Sequence, residues 1–134
     1  MTTFNDAVTC ASGFTGPLTG AVIGDLTGGV KLPTQEITAD GAITIKSGIV
    51  ILNKAGAIAA TLADPTATTD DGKVLTVISK TAQAHTVTIA GGLNGGGAAA
   101  DVGTFGGAIG DQFTVVAWAG KWYKRTAPIN VTFA

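Results

Sequence analysis

The side chains that can act in acid–base, nucleophilic or metal chemistry are few in this sequence. It contains one cysteine, Cys10, and one histidine, His85, far apart along the chain. A catalytic thiol needs a base beside it, and a zinc site needs several Cys or His ligands at suitable spacing. We therefore interpret Cys10 as a small buried apolar residue. We interpret His85 as a turn or strand-edge residue that bonds to the backbone.

The acidic residues stand in turn-like sequences rather than catalytic ones. Asp70 and Asp71 precede a glycine, where a pair of carboxylates binds calcium weakly and is more typical of a turn. Asp64 and Asp101 have the same interpretation. Hydrolysis by a carboxylate pair needs two acids held across a cleft, and no two of the nine acids stand out. The sequence predicts no catalytic residue, no metal ligand and no cofactor, and therefore a protein that is not an enzyme.

The composition predicts a protein that buries surface against other chains. Of the 134 residues, 46% are hydrophobic and 13% are charged, whereas about a quarter are charged in typical soluble domains. The net charge of -1 gives no basic footprint for nucleic acid, and the basic cluster at Lys121 to Arg125 fits a half-exposed strand. No apolar stretch approaches the roughly 20 residues that span a bilayer. Because Met1 to Asn5 lack the features of a signal peptide, we expect synthesis in a cytoplasm without export.

A tetrapeptide repeat runs from Phe14 to Val30, with an apolar residue at every fourth position and a glycine two positions after each of the first four. This spacing excludes an amphipathic helix, and collagen needs glycine at every third position. In an extended chain, residues i and i+2 share a face, so bulky side chains and glycines would alternate on one side. Such a tract cannot form a core alone and is predicted to lie against other chains. The predicted subunit or capsid contacts are Phe4, Val8, Phe14, Leu18, Val22, Leu26 and Val30.

The sequence from Ile37 onward predicts β-structure throughout. Alternating or β-branched segments are typical of strands, and they occur at Ile43-Thr44-Ile45, Ile49 to Leu52, Val74 to Ser79, Thr86 to Ile89 and Ile129 to Phe133. Val74 to Ser79 is apolar on both faces, which predicts a central strand. Ala57 to Leu62 is short and bounded by turn residues, which favours a strand over a helix. We expect an extended N-terminal arm, residues 1–33, and a compact antiparallel β-sandwich or jelly-roll-like domain, residues 34–134.

Two regions near the C-terminal end carry further expectations. The glycine-rich stretch from Ala90 to Gly110 is interpreted as a long loop. It ends in no Gly-Lys-Ser/Thr sequence, so it does not predict a phosphate-binding loop. Ala119-Gly120 is interpreted as the turn of a hairpin. Trp118 and Trp122 are then expected on one face, or diagonally across the turn.

Two features together resemble bacteriophage virion proteins. The repeat looks like the tetrapeptide tracts of phage fibre and head-surface proteins, and Gly41 to Arg125 is similar to small β-domains of such proteins. The segments that carry this similarity are Gly41-Ala42-Ile43, Thr61-Leu62-Ala63-Asp64-Pro65, Asp71-Gly72-Lys73-Val74-Leu75, His85-Thr86-Val87-Thr88, Gly110-Asp111 and Gly120-Lys121-Trp122-Tyr123. The resemblance covers most of the chain through short motifs. It implies a homotrimer with a projecting β-domain and an anchoring N-terminal segment.

The short repeat favours a compact capsid decoration (cement) protein or a short head fibre over a long fibre. The resemblance implies a location on the capsid surface of the virion, after synthesis in the host bacterial cytoplasm. Its expected partners are sister subunits and the major capsid protein, with no nucleic acid and no membrane. The alternative is a receptor- or glycan-binding tip of a phage tail fibre. In that role Trp118, Trp122 and Tyr123 would form a surface that stacks on sugars.

Overall fold

The computed structural model describes residues 30–93 and 101–134, and these residues form two five-stranded β-sheets without a helix. The all-β class that the sequence predicts is confirmed. The strands in chain order are β1 (Thr34–Ile37), β2 (Gly41–Ile43), β3 (Gly48–Leu52), β4 (Ala59–Leu62), β5 (Val74–Ser79), β6 (Thr86–Ile89), β7 (Val102–Phe105), β8 (Gln112–Trp118), β9 (Lys121–Lys124) and β10 (Val131–Phe133). In this part of the chain, no helix has the length and apolar character of a membrane span.

The first six strands alternate between the two sheets. Sheet 1 has the order β1-β3-β5-β8-β9, and sheet 2 has the order β10-β7-β6-β4-β2. Within each sheet the neighbours among these six strands run parallel. The chain therefore winds three times around one core before its last four strands pair antiparallel with their neighbours.

The sheets are thus mixed, and the expectation of an antiparallel domain is wrong for the first six strands. The alternation of apolar residues determines which face of a strand is buried, and it holds for both directions of pairing. Direction depends on where the connection leads. The short segment between Ile37 and Gly41 carries the chain to the other sheet instead of back along β1.

The core lies between the sheets and is built from the alternate side chains that point inward. Val50 and Leu52 of β3, with Leu75 and Val77 of β5, are fully buried from the side of sheet 1. Sheet 2 contributes the equally buried side chains of Leu62, Val87 and Ile89. The central position predicted for Val74 to Ser79 is confirmed, since β5 is the middle strand of sheet 1.

Three phenylalanine rings join the sheets at one end of this core. Phe113 of sheet 1 has its ring centroid 5.9 Å from that of Phe105 and 5.2 Å from that of Phe133, both in sheet 2. Gly103 lies beneath the last of these rings, and a Cβ atom there would stand 2.7 Å from the Phe133 ring. The prediction of a long loop from Ala90 to Gly110 is therefore wrong for Val102–Phe105, which form β7. The sequence does not predict this strand because glycine is typical of loops, whereas here Gly103 makes room for the Phe133 ring.

The hairpin predicted around Ala119-Gly120 is confirmed. Strands β8 and β9 pair antiparallel, with φ of 49° at Ala119 and 77° at Gly120, as a two-residue hairpin turn with positive φ at both positions requires. Trp118 pairs with Lys121, whereas Trp122 pairs with Ala117. The two tryptophans therefore lie on opposite faces of sheet 1, and the expectation that they share a face or meet diagonally is wrong.

Candidate interaction surface

His85 is a structural residue. It is fully buried, and its Nδ1 atom accepts a hydrogen bond of 2.9 Å from the backbone N–H of Ile58. The proton must then be on Nε2, which lies 3.0 Å from Oγ1 of Thr81, and that hydroxyl donates to the Lys54 carbonyl at 2.8 Å. Burial, with a smaller contribution from the Lys54 ammonium, lowers the pKa of His85. The expected backbone-bonding role is confirmed, and both ring nitrogens have partners within the protein.

Asp70 organises the loop that joins β4 to β5. Its carboxylate accepts bonds from the Lys73 ammonium at 2.7 Å, the Thr66 N–H at 2.6 Å and the Lys46 ammonium at 3.1 Å. The bond from Lys73 and then that from Thr66 hold the pKa of Asp70 well below its usual range against the opposing effect of burial, and Lys46 lowers it further. With two ammonium groups already bound, this carboxylate is a turn-forming group, as the sequence suggested.

The neighbouring aspartates hold the same loop against the β8–β9 hairpin. Asp64 accepts bonds from the Gly91 N–H at 2.9 Å and from the Lys121 ammonium at 3.2 Å. Asp71 accepts from the Ala119 N–H at 2.8 Å, and the indole N–H of Trp122 donates to the Ala63 carbonyl at 2.9 Å. These contacts join the loop between β4 and β5 to the β8–β9 hairpin and to the end of β6.

Asp111 fixes a second turn before β8. The carboxylate is buried and accepts from the Ala108 N–H at 2.8 Å and from the Asn130 amide at 3.0 and 3.1 Å. Burial opposes its ionisation, but the N–H of Ala108, the Asn130 amide and two further backbone N–H groups together lower the pKa of Asp111. In residues 30–93 and 101–134, no three His, Cys, Asp or Glu side chains are grouped as a metal site.

The predicted aromatic surface is divided between the inside and the outside of the domain. Trp122 is fully buried and therefore cannot stack on a sugar, so its inclusion in a binding surface is wrong. Its neighbours in β9 alternate, which leaves Tyr123 half-buried on the outer face of sheet 1. Trp118 is 62% exposed on that outer face. Among the described residues, Trp118 and Tyr123 are the aromatic side chains that can make a contact at this end of sheet 1.

The outer faces of the two sheets differ in chemistry. The outward positions of sheet 2 are mostly threonines, a set that we call the threonine face: Thr61, Thr86, Thr88, Thr104 and Thr132. The outward positions of sheet 1 include five half-buried aliphatic residues, a set that we call the apolar face: Ile49, Ile51, Val74, Ile78 and Val116. A threonine-rich face is well solvated, whereas a contiguous aliphatic one is typical of a contact surface.

Two hollows follow one another along β3 and β5 on the apolar face, and we call them together the groove. The first encloses about 530 Å³ and is lined by Ile51 and Ile78, with Ile109 at its rim. The second encloses about 450 Å³ and is lined by Ile49 and Val74. Because Ile49 and Ile51 are two residues apart on one face of β3, the hollows are neighbours.

The charges around the groove are few. Glu36 lines the first hollow and is paired with Lys80 at 3.5 Å. Arg125 lines the second hollow, and its guanidinium makes no ion pair with the described residues. The groove is therefore a pair of adjacent hollows, with a neutralised ion pair at the first and the Arg125 cation at the second.

The chain enters sheet 1 beside the second hollow. Leu32 and Pro33, which lead into β1, line this hollow, and Leu32 is 50% exposed. Val30, the last of the predicted contact residues, is 67% exposed. The other predicted contacts lie outside the described residues: Phe4, Val8, Phe14, Leu18, Val22 and Leu26.

Comparison with known proteins gives this chain no relative. No family model, no curated protein and no solved structure matches it. The interpretation of the surface therefore depends on its own geometry and chemistry.

The residues of the apolar face are the ones that the sequence analysis did not identify as contacts. Their signal was present, because β3 and β5 carry apolar residues at consecutive positions rather than alternate ones. That pattern was interpreted only as burial in the middle of a sheet. In the structure one apolar side of each strand forms the core, and the other forms the half-open outer face of sheet 1.

Proposed function

We propose that this protein is a structural virion protein, a trimeric decoration (cement) protein that binds and stabilises the outer surface of a phage capsid. The observation that carries the proposal is the apolar face. Sheet 2 presents the solvated threonine face, whereas sheet 1 presents aliphatic side chains. An exposed aliphatic surface is typical of proteins that work in contact with other chains.

The chemistry of the polar residues supports a structural role. His85, Asp64, Asp70 and Asp111 all hold backbone groups or ion pairs within the domain. None of them lines the groove. The polar network stabilises turns, and the open surface of sheet 1 remains for binding.

The proposed mechanism is linkage between binding and capsid stability. A protein that binds the assembled lattice and not its free subunits stabilises the assembled state by mass action. Contacts made by three sister subunits at once raise the effective concentration of each anchor. Residues 1–33, the proposed N-terminal arm, would provide the anchors, and the β-domain would project from the capsid.

Two measurements test the proposal. The mass of the purified full-length protein in solution should equal three chains. Quantitative mass spectrometry of purified virions should give hundreds of copies per particle, because a decoration protein occupies most positions of the lattice. A handful of copies at one vertex would contradict the decoration role and favour a tail component.

The alternative of a glycan-binding tip has one observation in its favour, the exposure of Trp118. An indole that is 62% exposed beside a half-buried Tyr123 can stack on a sugar ring. Trp118→Ala should then abolish binding on a glycan array with no change in melting temperature. Glycan binding that is unchanged in this variant, or that is absent from both the wild-type protein and the variant, would remove the alternative.

A further inference from the structure

We infer that the groove on the apolar face binds the tetrapeptide tract, Phe14 to Val30, of a neighbouring copy of this chain. This inference names the subunit contact of the trimer and rests on the proposed function. It adds the five aliphatic residues of the apolar face to the contact surface. It also makes the tract and the groove two halves of one interface.

The position of the tract in the chain supports this assignment. The tract ends at Val30, which is exposed, and the residues that follow it already line the second hollow. The end of the tract is therefore held at the edge of the groove in every copy. A tract that extends away from this point would be placed to meet the groove of a copy packed beside it.

The length of the tract indicates a neighbouring copy rather than the same one. Phe14 to Val30 comprises seventeen residues, which span roughly 55 Å when extended. Strand β5, along which the groove runs, has six residues, or roughly 20 Å. If extended, a tract more than twice as long as the groove beside it would reach past its own subunit.

The side chains of the tract match the groove. The repeated Phe, Leu and Val residues supply the aliphatic and aromatic surface that two apolar hollows can take up. The glycine that follows two positions after each carries no side chain, so the backbone can approach Ile49, Ile51 and Ile78 closely.

The charges also agree. Residues 1–29 contain two acids, Asp6 and Asp25, and no Lys or Arg. The second hollow offers the Arg125 guanidinium, which makes no ion pair with the described residues. Asp25 lies within the tract, five positions before Val30, on the face opposite Leu26. Its carboxylate would therefore meet the exposed Arg125 guanidinium at the rim of the second hollow and not inside it.

Disulfide trapping in the full-length protein tests the inference directly. In a Cys10→Ser background, Leu26→Cys is combined with Ile78→Cys in the groove, or with Thr61→Cys on the threonine face as the matched control. Equal amounts of ¹⁴N- and ¹⁵N-labelled protein are mixed after dissociation, reassociated and oxidised. We expect dimers and trimers on non-reducing gels, with light–heavy linked peptides, for the groove pair only.

Three results would overturn the inference. They are disulfides confined to single chains, no disulfide for the groove pair, or equal trapping by the groove pair and the control. The first would place the tract on its own subunit, and the others would remove the groove as its binding site.

Charge exchange provides a second test that does not depend on trapping. Arg125→Glu should lower the association constant at least tenfold in sedimentation experiments, and adding Asp25→Arg should restore most of it. Circular dichroism of each variant controls for folding. Association that is unchanged in Arg125→Glu, or not restored by the second change, would contradict the pairing.

The outcome is separable from that of the proposed function. Capsid binding is measured independently, by co-sedimentation of the full-length protein with capsids. A trimer that decorates capsids without trapping between tract and groove overturns the inference alone. A trimer that is trapped through the groove but binds no capsid overturns the decoration role alone.

Discussion

The Nδ1 atom of His85 accepts a hydrogen bond of 2.9 Å from the backbone N–H of Ile58, at the point where the chain enters β4. Strand β4 belongs to the second turn of the winding and His85 precedes β6 in the third. The imidazole therefore joins successive turns of the chain. The contact exists only while Nδ1 carries no proton.

We predict that the protein becomes less stable as the pH falls below 6.5, because protonation of Nδ1 breaks this contact. The folded-state pKa of His85 is lowered from its ordinary value of 6.5. Between the folded-state pKa and the unfolded-state pKa of His85, the unfolded chain binds a proton that the folded chain does not. The stability contributed by this contact is therefore fully present above pH 6.5 and declines with acidification. Urea denaturation at a series of pH values measures this slope.

The control for that experiment is His85→Gln, which removes the only histidine of the chain. Its free energy of unfolding is expected to be lower at neutral pH but level between pH 6.5 and the range where carboxylates titrate. A wild-type slope that persists in the variant would show that another group is responsible.

Removing the charge of Asp70 is expected to lower stability at neutral pH. The variant is also expected to lose less stability than the wild-type protein when the pH is lowered. The folded-state pKa of this carboxyl is lowered mainly by Lys73 and the Thr66 N–H, so its contribution is present above its unfolded pKa and is lost as the pH falls below that value. Thermal melts of Asp70→Asn from pH 7 to pH 2 test this. Asp101→Asn is the matched control, because the Asp101 carboxylate makes no hydrogen bond or ion pair with the described residues. Equal melting temperatures for both variants would contradict the role given to Asp70.

The two tryptophans are expected to respond oppositely to truncation. Trp122→Ala removes a fully buried ring and the indole bond to Ala63, and should cost about 3–5 kcal/mol of unfolding free energy. Trp118→Ala removes a largely exposed ring, and should change stability by no more than about 0.5 kcal/mol. Chemical denaturation of both variants measures the unfolding free energies. A large loss of unfolding free energy in Trp118→Ala would mean that this ring is covered in the protein's own assembly.

Substitution of Gly48 is expected to disrupt the start of β3. This residue has φ of 101°, and a Cβ atom there would collide with the carbonyl oxygen of Pro33, which accepts the Ile49 N–H at 2.9 Å. Gly48→Ala should therefore destabilise the protein by more than about 1 kcal/mol. Gly56→Ala is the control, since a Cβ atom at Gly56 meets nothing within 4 Å. A Gly48→Ala variant as stable as this control would contradict the strain at Pro33.

The strands were largely predictable from the sequence because each has one strongly apolar side. Val74 to Ser79, Thr86 to Ile89 and the hairpin at Ala119-Gly120 have signals that depend only on local residues. The winding was not predictable in this way, since a strand such as β3 has the same alternation whether its neighbour runs parallel or antiparallel. Strand β7 was not predicted because glycine is typical of loops, and the sequence does not show that the Phe133 ring packs on Gly103.

The surface was harder to predict than the core for a physical reason. Consecutive apolar residues at Ile49 to Leu52 indicate that both sides of a strand avoid water, but not what covers each side. Within one chain, Val50 and Leu52 meet sheet 2, while Ile49 and Ile51 stay half-buried. Asp70 was interpreted correctly as a turn residue, because its carboxylate binds Thr66 and Lys73, which are close to it in the chain. Asp64 and Asp71 bind groups far along the chain, at Gly91, Lys121 and Ala119, and local sequence does not predict these contacts.

The winding of the first six strands has a consequence for the order of folding. Ile49 pairs with Thr76, twenty-seven positions further along the chain, whereas β8 and β9 pair through a two-residue turn. Pairing that must close long loops forms slowly, and local hairpins form early. We expect the domain to be completed from its C-terminal hairpin towards β1, with the edge of the groove among the last parts to form. Because β3 carries both core residues and groove residues, a folding chain would acquire the complete groove only as its core closes.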